Sequence, residues 1–87
     1  MNKIDLLQGK RRPVDVQCTG ADVTVVFDDG SKVSNPLSWH WWLAQATPEQ
    51  RARYELYPDA IVWPEFDEGL DIEGMLRGIK PRQPIAE

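Results

Sequence analysis

Val23-Thr24-Val25-Val26-Phe27-Asp28-Asp29-Gly30-Ser31-Lys32-Val33-Ser34 is the stretch that decides the fold. Five β-branched or aromatic residues in succession predict a strand, because such side chains suit a pleated, half-buried surface. Asp28-Asp29-Gly30 predicts a tight hairpin, since glycine accepts the positive φ such turns require. Residues 32–34 return as the next strand. Upstream, Val14-Asp15-Val16-Gln17-Cys18 alternates apolar and polar, the period of a strand with one buried face. Thr19-Gly20-Ala21-Asp22 is a turn between the two. The three segments make an antiparallel hairpin or meander.

Downstream the chemistry changes at Asn35-Pro36. Leu37, Trp41 and Ala44 lie on one helical stripe, with Trp42 and Ala46 beside it, and Asn35 or Ser38 can cap it. Thr47-Pro48-Glu49-Gln50 opens a second helix: threonine accepts from the backbone, proline fits the first turn, and Gln50 reaches back. That helix is expected to run to about residue 56, with Pro58 as its stop. Residues 60–63 form a short apolar strand, and Pro64 places its end at a sheet edge or turn. Asp71 caps a last short helix over residues 72–77, closed by Gly78. Strands precede helices rather than alternating with them. The expected class is α+β: a small antiparallel sheet of three to four strands, covered on one face by two to three short helices. Residues 1–13 read as an irregular basic arm, with 4–7 as a candidate short strand. Residues 14–78 form a single α+β domain, and 79–87, with two prolines, a flexible tail.

Composition bounds the function. The chain has 87 residues and a mass of 10.0 kDa, room for one domain. A domain of this size buries only about 60–65% of its unfolded surface, so its stability margin is small. Hydrophobic residues at 41% and charged residues at 28% exclude a disordered chain, and no apolar run is long enough for a membrane span. Met1-Asn2-Lys3-Ile4-Asp5 opens no signal sequence, so the cytoplasm is the expected compartment. Fourteen acids against ten bases give a net charge of −4 and a pI near 4.9. That balance disfavours nucleic acid as partner, because phosphate binding rests on cationic side chains. Lys10, Arg11 and Arg12 are the bases that could still contact it.

The usual catalytic and metal patterns are missing. One cysteine, Cys18, excludes an intramolecular disulfide, and its valine neighbours place it as a buried strand thiol. Tetrahedral zinc needs about four ligands, more than one cysteine and one histidine supply. The acids Glu65, Asp67, Glu68, Asp71 and Glu73 lack calcium-loop spacing; Asp71 and Glu73 suit a helix N-terminus and the others a solvated face. A nucleophilic pairing of Cys18 with His40 would need a convergence that the strand thiol argues against. There is no glycine-rich phosphate loop and no Gly-x-Ser-x-Gly. No catalytic residue, metal or cofactor is expected.

Trp39-His40-Trp41-Trp42 is the most informative feature. Consecutive helical residues point about 100° apart, so three tryptophans in four positions cannot all face one core. The bland expectation packs Trp39 and Trp42 on the sheet, with Trp41 in a helix–helix groove. The functional one leaves one or two rings exposed as an anchor, since tryptophan is enriched at binding hot spots.

Five ordered blocks are similar to a small bacterial family catalogued as domain of unknown function 2442. They are Phe27-Asp28-Asp29-Gly30 with Val33-Ser34, Pro36-Leu37-Ser38-Trp39, Leu43-Ala44-Gln45-Ala46-Thr47-Pro48-Glu49-Gln50-Arg51, Ile61-Val62-Trp63-Pro64-Glu65-Phe66-Asp67-Glu68, and Ile72-Glu73-Gly74-Met75-Leu76. The resemblance spans about residues 14–78. It implies a small α+β fold, sometimes followed by a helix-turn-helix domain, and a gene placed beside that of another small protein, as in toxin–antitoxin pairs. It brings no catalytic residues. This chain departs from the family pattern at His40-Trp41-Trp42, where an aromatic, a proline and a base are usual, and at Gly69, where an acid is usual.

These readings converge on a non-catalytic protein-binding module, an antitoxin-like or regulatory adaptor that occludes a partner protein. Trp39, His40, Trp41 and Trp42 would supply its aromatic anchor, and Glu65, Asp67 and Glu68 its charge match. One alternative is a phage or mobile-element inhibitor of a host nucleic-acid-handling defence nuclease, motivated by small size and acidity. Another is a transcriptional regulator touching DNA through Lys10, Arg11 and Arg12. A homodimer through an exposed sheet edge or tryptophan patch is a further option.

Overall fold

A computed structural model describes residues 11–81. Its elements are β1 (Pro13–Cys18), β2 (Asp22–Phe27), β3 (Lys32–Pro36), a 3₁₀ turn (Leu37–Trp39), α1 (Trp41–Ala44), α2 (Pro48–Arg51), β4 (Glu55–Tyr57), β5 (Ala60–Trp63), a second 3₁₀ turn (Pro64–Phe66), β6 (Glu68–Asp71) and α3 (Ile72–Leu76). The class is α+β. Its strands form two three-stranded antiparallel sheets, β1-β2-β3 and β4-β5-β6, where the sequence predicts one.

The first sheet follows the sequence reading closely. Val23, Val25 and Phe27 point inward from β2 and are buried. Val16, Val25 and Val33 stand opposite one another across the three strands. The β2–β3 turn is closed by the Gly30 N–H donating to the Phe27 carbonyl at 3.0 Å, and Gly30 takes φ +87°. At the other end the Thr19 hydroxyl accepts from the Ala21 and Asp22 N–H groups. The register shifts between Pro13 and Asp15, and the Asp28 N–H donates to the Arg12 carbonyl at 2.9 Å. Ordered structure thus starts ahead of residue 14. The candidate strand at 4–7, Lys10 and the end of the tail lie outside the described residues.

Two expected helices are shorter than their patterns suggest. β3 continues through Pro36, and His40 at φ −127° and ψ 78° separates the first 3₁₀ turn from α1. One helix is thereby replaced by two short turns. The second helix has the capping box read from the sequence: the Gln50 N–H donates to the Thr47 hydroxyl at 3.0 Å, and the Thr47 N–H to the Gln50 side-chain oxygen at 2.9 Å. It ends at Arg51 rather than near residue 56. Tertiary bonds end it. The Trp63 indole N–H takes the Arg51 carbonyl at 3.1 Å. Tyr54 reaches across to β1, its hydroxyl accepting from the Val16 N–H at 3.3 Å and donating to Asp15 Oδ1 at 3.0 Å. Residues 55–57 then pair with β5, and Pro58-Asp59 becomes a hairpin turn.

The last third mixes expected and unexpected elements. β6, with a single inward apolar residue, was not foreseen; Leu70 sits opposite Ile61 and is buried. α3 is capped as expected, the Gly74 N–H donating to Asp71 Oδ2 at 3.1 Å. Gly78 ends it at φ +69°, with the Gly78 N–H on the Met75 carbonyl and the Ile79 N–H on the Gly74 carbonyl, both at 3.0 Å. That pairing satisfies two carbonyls a helix end would leave open. A single core joins all of this: the inner residues of β2, Leu37, Trp42 and Leu43, Ile61 and Trp63 of β5, Leu70, and Ile72 and Met75 of α3.

Gly69 is held by close backbone approach between β5 and β6. A Cβ there would stand 2.7 Å from the Ile61 carbonyl oxygen, whereas one at Gly20 would meet nothing within 4 Å. Gly69→Ala is therefore expected to lower stability by about 1–3 kcal/mol, the usual cost of overpacking. Gly20→Ala should stay within about 0.5 kcal/mol, as exposed substitutions do. Urea unfolding midpoints of the two variants check the contrast.

Candidate functional site

The break at His40 sets the geometry of the tryptophan run. With α1 beginning at Trp41, successive side chains diverge by about 100°. Trp42 turns inward and is 8% exposed; Trp41 turns outward and is 45% exposed. The Trp42 ring packs edge-on to Trp63, with centroids 5.3 Å apart, and stands 6.1 Å from Phe66. Phe66 arrives from the second 3₁₀ turn. Asp67 then adopts the left-handed conformation, φ 54° and ψ 40°, which redirects the chain into β6 just as Glu68 begins. Aspartate is among the few side chains that tolerate that conformation.

These segments enclose a cleft of about 230 Å³ lined by Trp41, Trp42, Gln45, Ala46, Gln50, Phe66 and Glu68. Gln50 connects it to the neighbouring acid: its Nε2 donates to Glu65 Oε2 at 2.9 Å. The other Glu65 oxygen pairs with Arg53 at 3.4 Å. Glu65 is therefore tethered beside the cleft, and Glu68 is the carboxylate that lines it.

Of the aromatic and acidic residues singled out in the sequence, Trp41, Trp42 and Glu68 come together, with Glu65 adjacent. Trp39 is half-buried in the first 3₁₀ turn and Asp67 is exposed; neither lines the cleft. His40 and Trp42 require correction as surface anchors. His40 is 5% exposed, its Nε2 lies 3.3 Å from Asn35 Oδ1, and its ring meets Trp42 edge-on at 6.2 Å. Asn35 is itself buried and donates to the Ser34 carbonyl. Both residues belong to the core, with Trp42 forming the inner wall of the cleft. Phe66, Gln45 and Gln50 were missed. The signal was present for Phe66, because Pro64 predicts a turn that sets an aromatic among acids.

Of the three bases read as possible nucleic-acid contacts, Arg11 and Arg12 are among the described residues, and both are tied to the first sheet. Arg11 is half-buried, its guanidinium 5.0 Å from the Phe27 ring centroid and donating to the Ser31 hydroxyl at 3.1 Å. Arg12 is exposed, with its backbone paired to Asp28. Cys18 is half-buried; burial pushes its thiol up, and the Arg51 charge only partly opposes this. Such a thiol is a poor nucleophile. Among the described residues, no three His, Cys, Asp or Glu side chains gather so as to hold a metal ion, and no helix is long and apolar enough to cross a membrane.

The fold and cleft together define a small two-sheet α+β protein with an aromatic pocket beside an acidic turn. The chain belongs to the family described as protein of unknown function DUF2442, whose model matches residues 13–81. It is similar in structure to a protein of unknown function from Rhodospirillum rubrum ATCC 11170. The TM-score is 0.67 at 20% identity, over 86% of this chain and 95% of that one. At that identity the likeness concerns the fold alone. No curated protein matches the sequence.

The burial of His40 has a consequence in solution. Desolvation holds its imidazole below the ordinary value. The unfolded chain, with its imidazole titrating near about 6.5, therefore takes up the proton first as pH falls. The stability that His40 contributes is complete above that value and is lost as pH falls toward the lower native one. Wild-type stability should decline between about pH 7 and pH 5. His40→Gln should flatten that slope whatever its effect on absolute stability, as chemical denaturation across the range will show.

Proposed function

We propose that this protein is a non-catalytic protein-binding module that occludes a partner's surface through the Trp41 cleft. The observation that carries the reading is the 45% exposure of Trp41 beside a pocket walled by Trp42 and Phe66. Water is a poor solvent for an indole, and a partner that covers the ring gains both apolar burial and aromatic contact. Tryptophans at such positions are the residues on which interfaces most depend. Glu68, with Glu65 beside it, adds a charge pattern that favours one partner over others.

The setting is an antitoxin-like or regulatory adaptor. The support is the family resemblance, which implies a gene placed beside that of another small protein. That neighbour's product is the first partner to test. Tagged wild-type protein and Trp41→Ala are compared by affinity capture from the native host after nuclease treatment, and by titration with the purified neighbour's product. Trp41 lies outside the core, so the variant should stay folded by circular dichroism. One stoichiometric protein should be retained by the wild type, with affinity reduced tenfold or more in Trp41→Ala, a loss of about 1.4 kcal/mol or more. A captured protein indifferent to Trp41, or no captured protein, overturns the reading.

A further inference from the structure

We infer that the Trp41 cleft receives a cationic side chain of the partner, arginine in preference to lysine. The inference rests on the cleft being the partner site and specifies what enters it. Three aromatic rings, Trp41, Trp42 and Phe66, share the lining with one carboxylate, Glu68. None of the described lining residues is cationic. Arg53, which could otherwise supply a charge nearby, is paired with Glu65. The cleft thus combines π-systems, which attract cations to their faces, with an unneutralised carboxylate. A purely apolar occupant would leave Glu68 partly desolvated beside it without a partner, which is unfavourable. A cation satisfies both parts of the lining.

Arginine fits better than lysine for two reasons. Its guanidinium is planar, stacks on aromatic rings and is more weakly hydrated than an ammonium, so it loses less on leaving water. It also carries several N–H donors in a fixed fork, which suits the Glu68 carboxylate and the side-chain oxygen of Gln45. The volume of about 230 Å³ accommodates one such side chain rather than an element of structure.

The test uses a short blocked peptide, acetyl-Gly-Arg-Gly-amide, and two relatives with lysine or citrulline at the centre. Citrulline keeps the shape of arginine and removes its charge. Each is titrated into isotope-labelled protein while the Trp41 indole and Phe66 ring signals are followed by NMR. The arginine peptide should give saturable shifts at millimolar concentration. Citrulline should bind about five- to tenfold more weakly, and lysine should fall between. Glu68→Gln should weaken the arginine peptide about threefold and reduce its sensitivity to salt. Citrulline binding as well as arginine, or no saturable shift at either ring, overturns the inference. If Trp41→Ala still abolishes capture of a partner in that case, the protein-binding reading stands without it. Arginine-selective shifts with no captured partner would sink the protein-binding reading and with it the assignment of the cation to a partner, leaving only the cleft's selectivity for a guanidinium. A homodimer in sedimentation that dissociates on Trp41→Ala would assign the cleft to a second copy and also overturn the inference.

Discussion

The indole N–H of Trp63 donates to the carbonyl of Arg51, and much of the molecule is organised around that bond. Trp63 is fully buried, so its donor has no access to water and needs an acceptor. The acceptor is a carbonyl at the C-terminal end of α2, a group that would otherwise be unsatisfied. The same arginine sends its guanidinium the other way. Its Nε and NH2 groups donate to the carbonyls of Leu43 and Ala44, at the end of α1, each at 3.0 Å. One strand and two helices are therefore joined through a single residue. The ring of Trp63 meanwhile packs against Trp42 and Tyr54. Removing so large a buried ring typically costs about 3–5 kcal/mol, a large share of a small domain's stability. The cleft depends on this arrangement, because Trp42, its inner wall, rests on Trp63.

The legible parts of the fold were those decided by local chemistry. The β2–β3 hairpin is written in Asp28-Asp29-Gly30, the cap of α2 in Thr47 and Gln50, and that of α3 in Asp71 with Gly78. Each is a contact between residues a few positions apart. What escaped the reading depends on distant partners. Nothing near Arg53 or Tyr54 marks the end of a helix; the bonds that end it come from Trp63 and from β1. β6 has one inward apolar side chain and exists because β5 offers it a pairing edge. The second sheet was hidden for the same reason, since both of its outer strands are weak patterns recruited by Ala60–Trp63.

The site was half legible. That one tryptophan of the run must reach solvent follows from helical geometry alone. Which one does so follows from where α1 starts, and that is set by the buried pairing of His40 with Asn35. The histidine that looked like a surface feature fixes the phase of the helix. Its influence on the cleft is indirect: starting the helix one residue later would carry Trp42 to the outward position that Trp41 holds. The acidic residues separate in a similar way, because the turn through Asp67 brings Glu68 to the cleft while Glu65 is held by Gln50 and Arg53.

Tyr54 has a role that extends beyond packing. β1 is an outer strand of its sheet, and outer strands present unpaired backbone groups on which a foreign strand can assemble. The Tyr54 hydroxyl occupies the Val16 N–H on that strand, and its donation to Asp15 keeps a carboxylate close by. A side chain packed against Trp63 thus also covers part of a sheet edge. One backbone donor on the β1 edge is thereby closed to a foreign strand, while β3 remains the other outer strand of the sheet.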